Sequence, residues 1–155
     1  MDSTDIITAL VALYGAILST VVAVREWKAK RPKIKVKTSM GFLDLGRGNL
    51  SDAMVFVEAA NPGQREVTLS SVGFILPLQR KVFLRQPQGS VRIPCELAPE
   101  SSCQVWIDAR ELAALLRSNG FSGTLKLVGF YGDQVGRTHK SKAFEVDADF
   151  GSGRC

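Results

Sequence analysis

Ile6 to Val24 is a run of nineteen residues without a charge, IITALVALYGAILSTVVAV. As an α-helix rising about 1.5 Å per residue it spans roughly 28 Å, close to the roughly 30 Å hydrocarbon core of a bilayer. The run is apolar all round, with Ile6, Leu10, Leu13, Ile17, Val21 and Val24 spread along it and Trp27 just past its end, where an indole suits the membrane interface. After Pro32 the period changes. Lys33 to Thr38, KIKVKT, alternates basic and apolar residues as a half-buried strand does. Apolar or alternating segments follow at Ala53–Ala59, Arg65–Leu69, Val72–Leu76, Arg80–Leu84, Val91–Ile93, Cys103–Ile107, Thr124–Tyr131 and Thr138–Val146. Trp106 is expected in the core. Gly, Pro and Asn punctuate these segments: Gly41, Gly46, Gly48 and Asn49 form one loop, and Asn61-Pro62-Gly63 and Gly132-Asp133 with Gly136 read as turns. The Pro77-Leu78-Gln79 connection predicts a hairpin.

One interior helix is predicted near 109–118. Asp108 can cap it, Glu111 stands three residues on, and Leu112, Leu115 and Leu116 give an i, i+3, i+4 face. Asn119-Gly120 supplies the stop. Strands about 8–12 residues apart with a single helix predict an all-β antiparallel sandwich, not a parallel α/β sheet, which needs helices between its strands. The organisation read from the chain is a transmembrane helix over 1–26, a basic juxtamembrane segment and first strand over 27–38, a sandwich over 39–148 and a frayed tail over 149–155.

Charge sharpens the first segment. Seven basic residues and Glu26 give residues 25–38 six net positive charges, and Asp2 and Asp5 give residues 1–24 two negative ones. Of the net +5 for the 155 residues, +1 is then left for 39–155. The excess of Lys and Arg after the helix predicts a single-pass protein of the cell (inner) membrane with its carboxyl-terminal domain in the cytoplasm. A cleaved signal peptide would want a basic start and a shorter apolar core. A buried helix of a soluble protein is the competing reading of the run, since Thr8, Tyr14, Gly15, Ser19 and Thr20 dilute it. Arg25, Lys28, Lys30, Arg31 and Lys33 are the predicted contacts to an anionic surface. A nucleic-acid role would want a basic face on the folded domain, which is nearly neutral. Ala9, Ala12, Ala16, Ser19 and Ala23 form a small-residue stripe at spacings of three and four, the pattern by which membrane helices pack closely, and mark a candidate for homo-oligomerisation.

Three stretches carry a resemblance. VFVEAANPGQREVTLSSVGF, residues 55–74, resembles the Asn-x-Gly hairpin region of bacterial immunoglobulin-like domains. VGFYGDQVGRTHKSKAF, residues 128–144, resembles the strand–turn–strand that closes similar small domains. With WKAKRPKIKV, residues 27–36, the layout is similar to that of short uncharacterised bacterial and phage-borne proteins with one membrane helix and one sandwich domain. The resemblance implies an immunoglobulin-like fold and no catalytic residue.

The chemistry-bearing residues are sparse. His139 is the single histidine and reads as a solvent-facing strand residue. Asp147 and Asp149 read as a solvated strand end, because two carboxylates alone are too few oxygens for a cation. Cys95, Cys103 and Cys155 carry no CxxC spacing, and the first two can lie on neighbouring strands as free thiols. The glycines of LGRGN, residues 45–49, lack the strand-to-helix context of a phosphate loop. No catalytic, metal or cofactor site is predicted. The expected function is a membrane-anchored protein-interaction module working through the loop 44–52 and the hairpin 131–137. The alternative is an anionic-lipid or nucleic-acid binder acting through the basic segment.

Overall fold

The computed structural model describes residues 3–29 and 33–151. Pro32, Lys30, Arg31, Cys155 and residues 152–155 of the expected frayed tail lie outside them, as does the side chain of Lys28. Helix α1 runs from Ser3 to Ala29. Among the described residues nine strands follow: β1 Lys35–Gly41, β2 Met54–Ala60, β3 Val67–Ile75, β4 Lys81–Phe83, β5 Gln88–Gly89, β6 Cys95–Leu97, β7 Ser102–Asp108, β8 Thr124–Asp133 and β9 Thr138–Asp147, with helix α2 at Ala109–Ser118 between β7 and β8.

All the strand pairings are antiparallel. One sheet has the order β1-β2-β7-β5, the other β4-β3-β8-β9, with β6 also paired to β3. Alternation decides what each strand buries. Val55, Val57 and Ala59 of β2 and Cys103, Val105 and Ile107 of β7 meet Leu69, Val72 and Phe74 of β3, Leu127 and Tyr131 of β8 and Val146 of β9 in one core. The Tyr131 hydroxyl donates across the layers to the Val57 carbonyl at 2.8 Å. At the lateral edge the Thr38 hydroxyl donates to Ser141 Oγ at 2.9 Å, joining β1 to β9.

Helix α2 begins where expected because Asp108 accepts from the Arg110 N–H at 2.7 Å. Ala109, Leu112, Ala113 and Leu116 are its buried face, and Gly120 takes the positive φ of 85° that ends it.

Three expectations are corrected. Residues 65–69 and 72–76 are not two strands: a register shift between Leu69 and Ser71 lets one strand, β3, run through both, as a bulge does. Val91–Ile93 is not a strand; pairing falls instead on β5 and β6 to either side, and Pro94, which has no N–H to give a ladder, separates the segment from β6. Trp106 does not enter the core. Its β7 neighbours Val105 and Ile107 point inward, so Trp106 lies on the outer face, half-buried against Phe56 with ring centroids 6.0 Å apart.

The connections sort to two ends. Register pairs Lys35 with Ala60 and Ala60 with Ser102, while Gly41 pairs with Met54 and Met54 with Asp108. The Lys35 end therefore carries the 61–66 turn, the 98–101 loop and the 134–137 hairpin. The Gly41 end carries the 42–53 loop, the 76–80 turn, the 84–87 segment and the start of α2.

Candidate functional site

The Gly41 end carries a concave feature. A cavity of about 710 Å³ lies between the outer face of β7, the segment leading into β5 and the first turns of α2. Phe83, Pro87, Trp106 and Leu115 supply its apolar wall, and Arg85 and Glu111 its charges. Trp106 is placed by parity on β7, and its Nε1–H donates to Gln88 Oε1 at 3.3 Å. Pro87, which has no N–H to give the ladder, stands just before β5, where the chain leaves β7 and lines the groove. The lining joins an apolar wall to a larger polar and charged share, which suits a ligand or side chain with both an apolar body and polar groups.

Beside it stands the 42–53 loop, which contains the predicted 44–52 segment. It is built, not slack. Gly46 N–H donates to Asp44 Oδ1 at 2.8 Å, Leu45 N–H to the Asn49 carbonyl at 2.9 Å, and Ser51 N–H to the Leu43 carbonyl at 2.8 Å. Gly46, Arg47 and Gly48 all take positive φ, a turn that glycine permits. This frame holds Phe42, Leu45 and Leu50 in solvent, each more than half exposed.

The predicted 131–137 hairpin is at the opposite end, so the two segments do not form one surface. Its organiser is Asp133. One oxygen, Oδ1, accepts from the N–H groups of Val135 at 3.1 Å and Arg137 at 2.7 Å, and Oδ2 lies 3.1 Å from His139 Nε2. Burial pushes the Asp133 carboxyl up, but the Arg137 N–H, the His139 ring and the Val135 N–H outweigh it and hold the group below its ordinary range. His139 is thus not solvent-facing: its side chain is 13% exposed and that of Asp133 2%. With its carboxylate spent on two backbone donors, the pair clamps a turn.

The remaining candidates are structural. Asp147 Oδ1 accepts from Asp149 N–H at 2.9 Å and Asp149 Oδ2 from Gly123 N–H at 3.0 Å. Among the described residues no three His, Cys, Asp or Glu side chains converge as a metal site needs. Cys95 and Cys103 are free. They belong to different sheets, Cys95 to the one containing β3 and Cys103 to the one containing β2. Burial first, then Cys95, pushes the Cys103 thiol up to about 11, which keeps it protonated and poorly nucleophilic at neutral pH.

On α1, Ile6, Leu10, Leu13, Ile17, Val21, Val24 and Trp27 are all exposed, and so are Ala12, Ala16, Ser19 and Ala23. None of the Ile6–Trp27 span is covered by the rest of the protein, and the helix is long and apolar enough to cross a membrane. The Ser19 and Thr20 hydroxyls donate back to the Ala16 carbonyl at 3.0 and 2.8 Å, so no polar hydrogen on these two side chains is left unbonded. Arg25 follows on the last turns of α1, and Lys33 is exposed just before β1.

The cavity and the outward Trp106 escaped sequence reasoning. The signal was available: in CQVWID, placing Cys103, Val105 and Ile107 inside puts Trp106 outside.

No family model and no curated protein matches this chain. A solved structure described as the X-ray structure of Northeast Structural Genomics Consortium target SoR45 is similar over 74% of this chain and 86% of its own, at 11% identity and a TM-score of 0.36. A likeness at that level carries no functional argument.

Proposed function

We propose that the chain is a single-pass protein of the cell (inner) membrane whose carboxyl-terminal domain lies in the cytoplasm and captures a protein partner, without catalysing a reaction itself. The observation that carries this is the uncovered helix. Eleven side chains from Ile6 to Val24 are large and apolar and stand exposed, and leaving each in water forfeits about 1.5–3 kcal/mol relative to burial. The domain already has a filled core without them. A bilayer is the solvent that fits, and the Lys/Arg excess after the helix supports the cytoplasmic orientation.

The domain is read as an immunoglobulin-like sandwich. Its orders β1-β2-β7-β5 and β4-β3-β8-β9 follow the A-B-E-D and C′-C-F-G orders of that fold, with β6 as an addition. Partner capture is assigned to the Gly41 end, on the exposed Phe42, Leu45 and Leu50 and the Trp106 cavity beside them. Apolar residues held out by a hydrogen-bonded frame suit a contact surface because little ordering remains to be done on binding.

Fractionation tests the anchor. The full-length protein should stay in the membrane pellet through carbonate and high-salt washing; recovery in the soluble fraction without detergent would overturn the reading. A fluorescent-protein fusion after Cys155 should be active in its cytoplasmic form. A photo-crosslinker at Leu45 should yield a protein adduct that Leu50→Asp removes while the melting temperature holds.

A further inference from the structure

The Lys35 end carries exposed charge of both signs with a basic excess. Lys33, Lys35, Arg65 and Arg137 are exposed there, with the exposed acids Glu66, Glu96 and Glu100 among them. At its tip Val135 is 81% exposed. That tip is rigid. Besides the two bonds to Asp133 Oδ1, Asp133 N–H donates to the Arg137 carbonyl at 3.0 Å, Gly136 N–H to the Asp133 carbonyl at 3.1 Å and Gln134 N–H to the Thr68 carbonyl at 3.0 Å. The neighbouring 61–66 turn, the end of β6 and the 98–101 loop are tied together by Asn61, which bonds to Arg65, Leu97 and Ala98.

This is also the end at which the chain arrives from the helix. From Ala29 to Lys35 is six residues, at most about 20 Å of extended chain. An apolar side chain on a fixed tip, at the same end as exposed Lys and Arg residues and tethered within that distance of a membrane helix, matches the chemistry of an anionic bilayer surface: headgroup charge for the Lys and Arg, the acyl boundary for the Val.

We propose that the Lys35 end of the sandwich docks on the anionic headgroup surface of the membrane, with Val135 in the interface and Arg65 and Arg137 on lipid phosphates. This rests on the membrane-anchored reading above. It adds that the domain does not swing freely on its linker but is held end-on, which points the Gly41 end, with its apolar loop and cavity, away from the bilayer.

The test uses the full-length protein in nanodiscs of phosphatidylcholine with phosphatidylglycerol, carrying a benzophenone amino acid at position 13, 45 or 135. Lipid adducts are expected at 13 and 135, with the yield at 45 about tenfold lower than at 135. Arg65→Gln with Arg137→Gln should lower the yield at 135 several-fold; these residues enter the fold's hydrogen bonds through their backbone O and N, so melting should not change. Each basic charge near such a surface is worth about a fivefold change in local occupancy, and 0.5 M salt should act in the same direction. Adducts at 13 with no more at 135 than at 45 would overturn the docking while leaving the anchor in place. Equal yields at 135 in purely zwitterionic lipid would overturn the headgroup recognition. No adduct at 13 would remove the membrane reading itself.

Discussion

Asn61 is the residue on which the Lys35 end turns, and replacing it measures that directly. It is 1% exposed. Its Nδ2 donates to the carbonyls of Arg65 at 2.7 Å, Leu97 at 3.0 Å and Ala98 at 3.2 Å, and its Oδ1 accepts from Gly63 N–H at 3.0 Å. In Asn61→Ala, water can still reach Arg65 and Ala98, which are exposed, at about 0.5–1 kcal/mol each. The Leu97 carbonyl and the Gly63 N–H are buried, and each left unpaired costs about 1–3 kcal/mol. The loss should be about 3–8 kcal/mol, a large share of the roughly 5–15 kcal/mol that holds a domain folded. Asn61→Asp has the same shape yet should be worse at pH 7, because it turns a carboxylate oxygen toward three carbonyls. Burial and those oxygens would raise its folded pKa above the ordinary value near 3.9. A raised acid binds more protons in the folded than in the unfolded state, so this variant should gain stability on the parent as pH falls from 7 toward 4. Urea denaturation in mild detergent, followed by the strand signal in circular dichroism, reads both. An Ala variant within about 1 kcal/mol of the parent, or an Asp variant indifferent to pH, would refute the reasoning.

The Asp133 clamp has the opposite sign. Its carboxyl is held low in the fold, so its contribution is present at neutral pH and is lost as pH falls through the folded value, below the ordinary 3.9 or so. Asp133→Ala should cost about 2–4 kcal/mol and Asp133→Asn about 1, since the amide oxygen keeps the Val135 and Arg137 bonds; His139→Ala should move the acid-unfolding midpoint to higher pH. Trp106→Ala should cost about 1–2 kcal/mol, against about 2–5 for buried Leu127→Ala, and should weaken partner capture where Leu127→Ala does not; a loss of 4 kcal/mol or more would place the indole in the core. At Gly73 an added Cβ would stand 2.0 Å from the Val82 carbonyl oxygen, so Gly73→Ala should cost at least about 3 kcal/mol by prising β4 from β3, and a neutral result in the same denaturation would show that β4 is free to move.

The parts of this protein legible in its sequence are those whose cause is local. The apolar span of α1 follows from an uncharged run alone. Both ends of α2 follow from Asp108 bonding the Arg110 N–H two residues on and from Gly120 taking a positive φ. β2, β7, β8 and β9 follow from apolar or alternating runs bounded by Gly, Pro and Asn turn residues, a signal carried by neighbouring residues alone. What the tertiary structure decided is whatever depends on a partner distant in sequence. Residues 65–76 became one strand because β8 pairs along both halves across a bulge. β5 exists only as a two-residue pairing against Trp106 and Val105 of β7. The loops at 44–52 and 131–137 look equivalent as turn chemistry, and only the register of β1 on β2 and of β3 on β8 sends them to opposite ends. His139 reads as exposed from its polar neighbours; it is half-buried because antiparallel pairing sets it opposite Tyr131, beside the Asp133 that the hairpin folds back. Local bonds write themselves into adjacent residues, whereas a cavity or a docking end is made by surfaces that meet only when the sheets close.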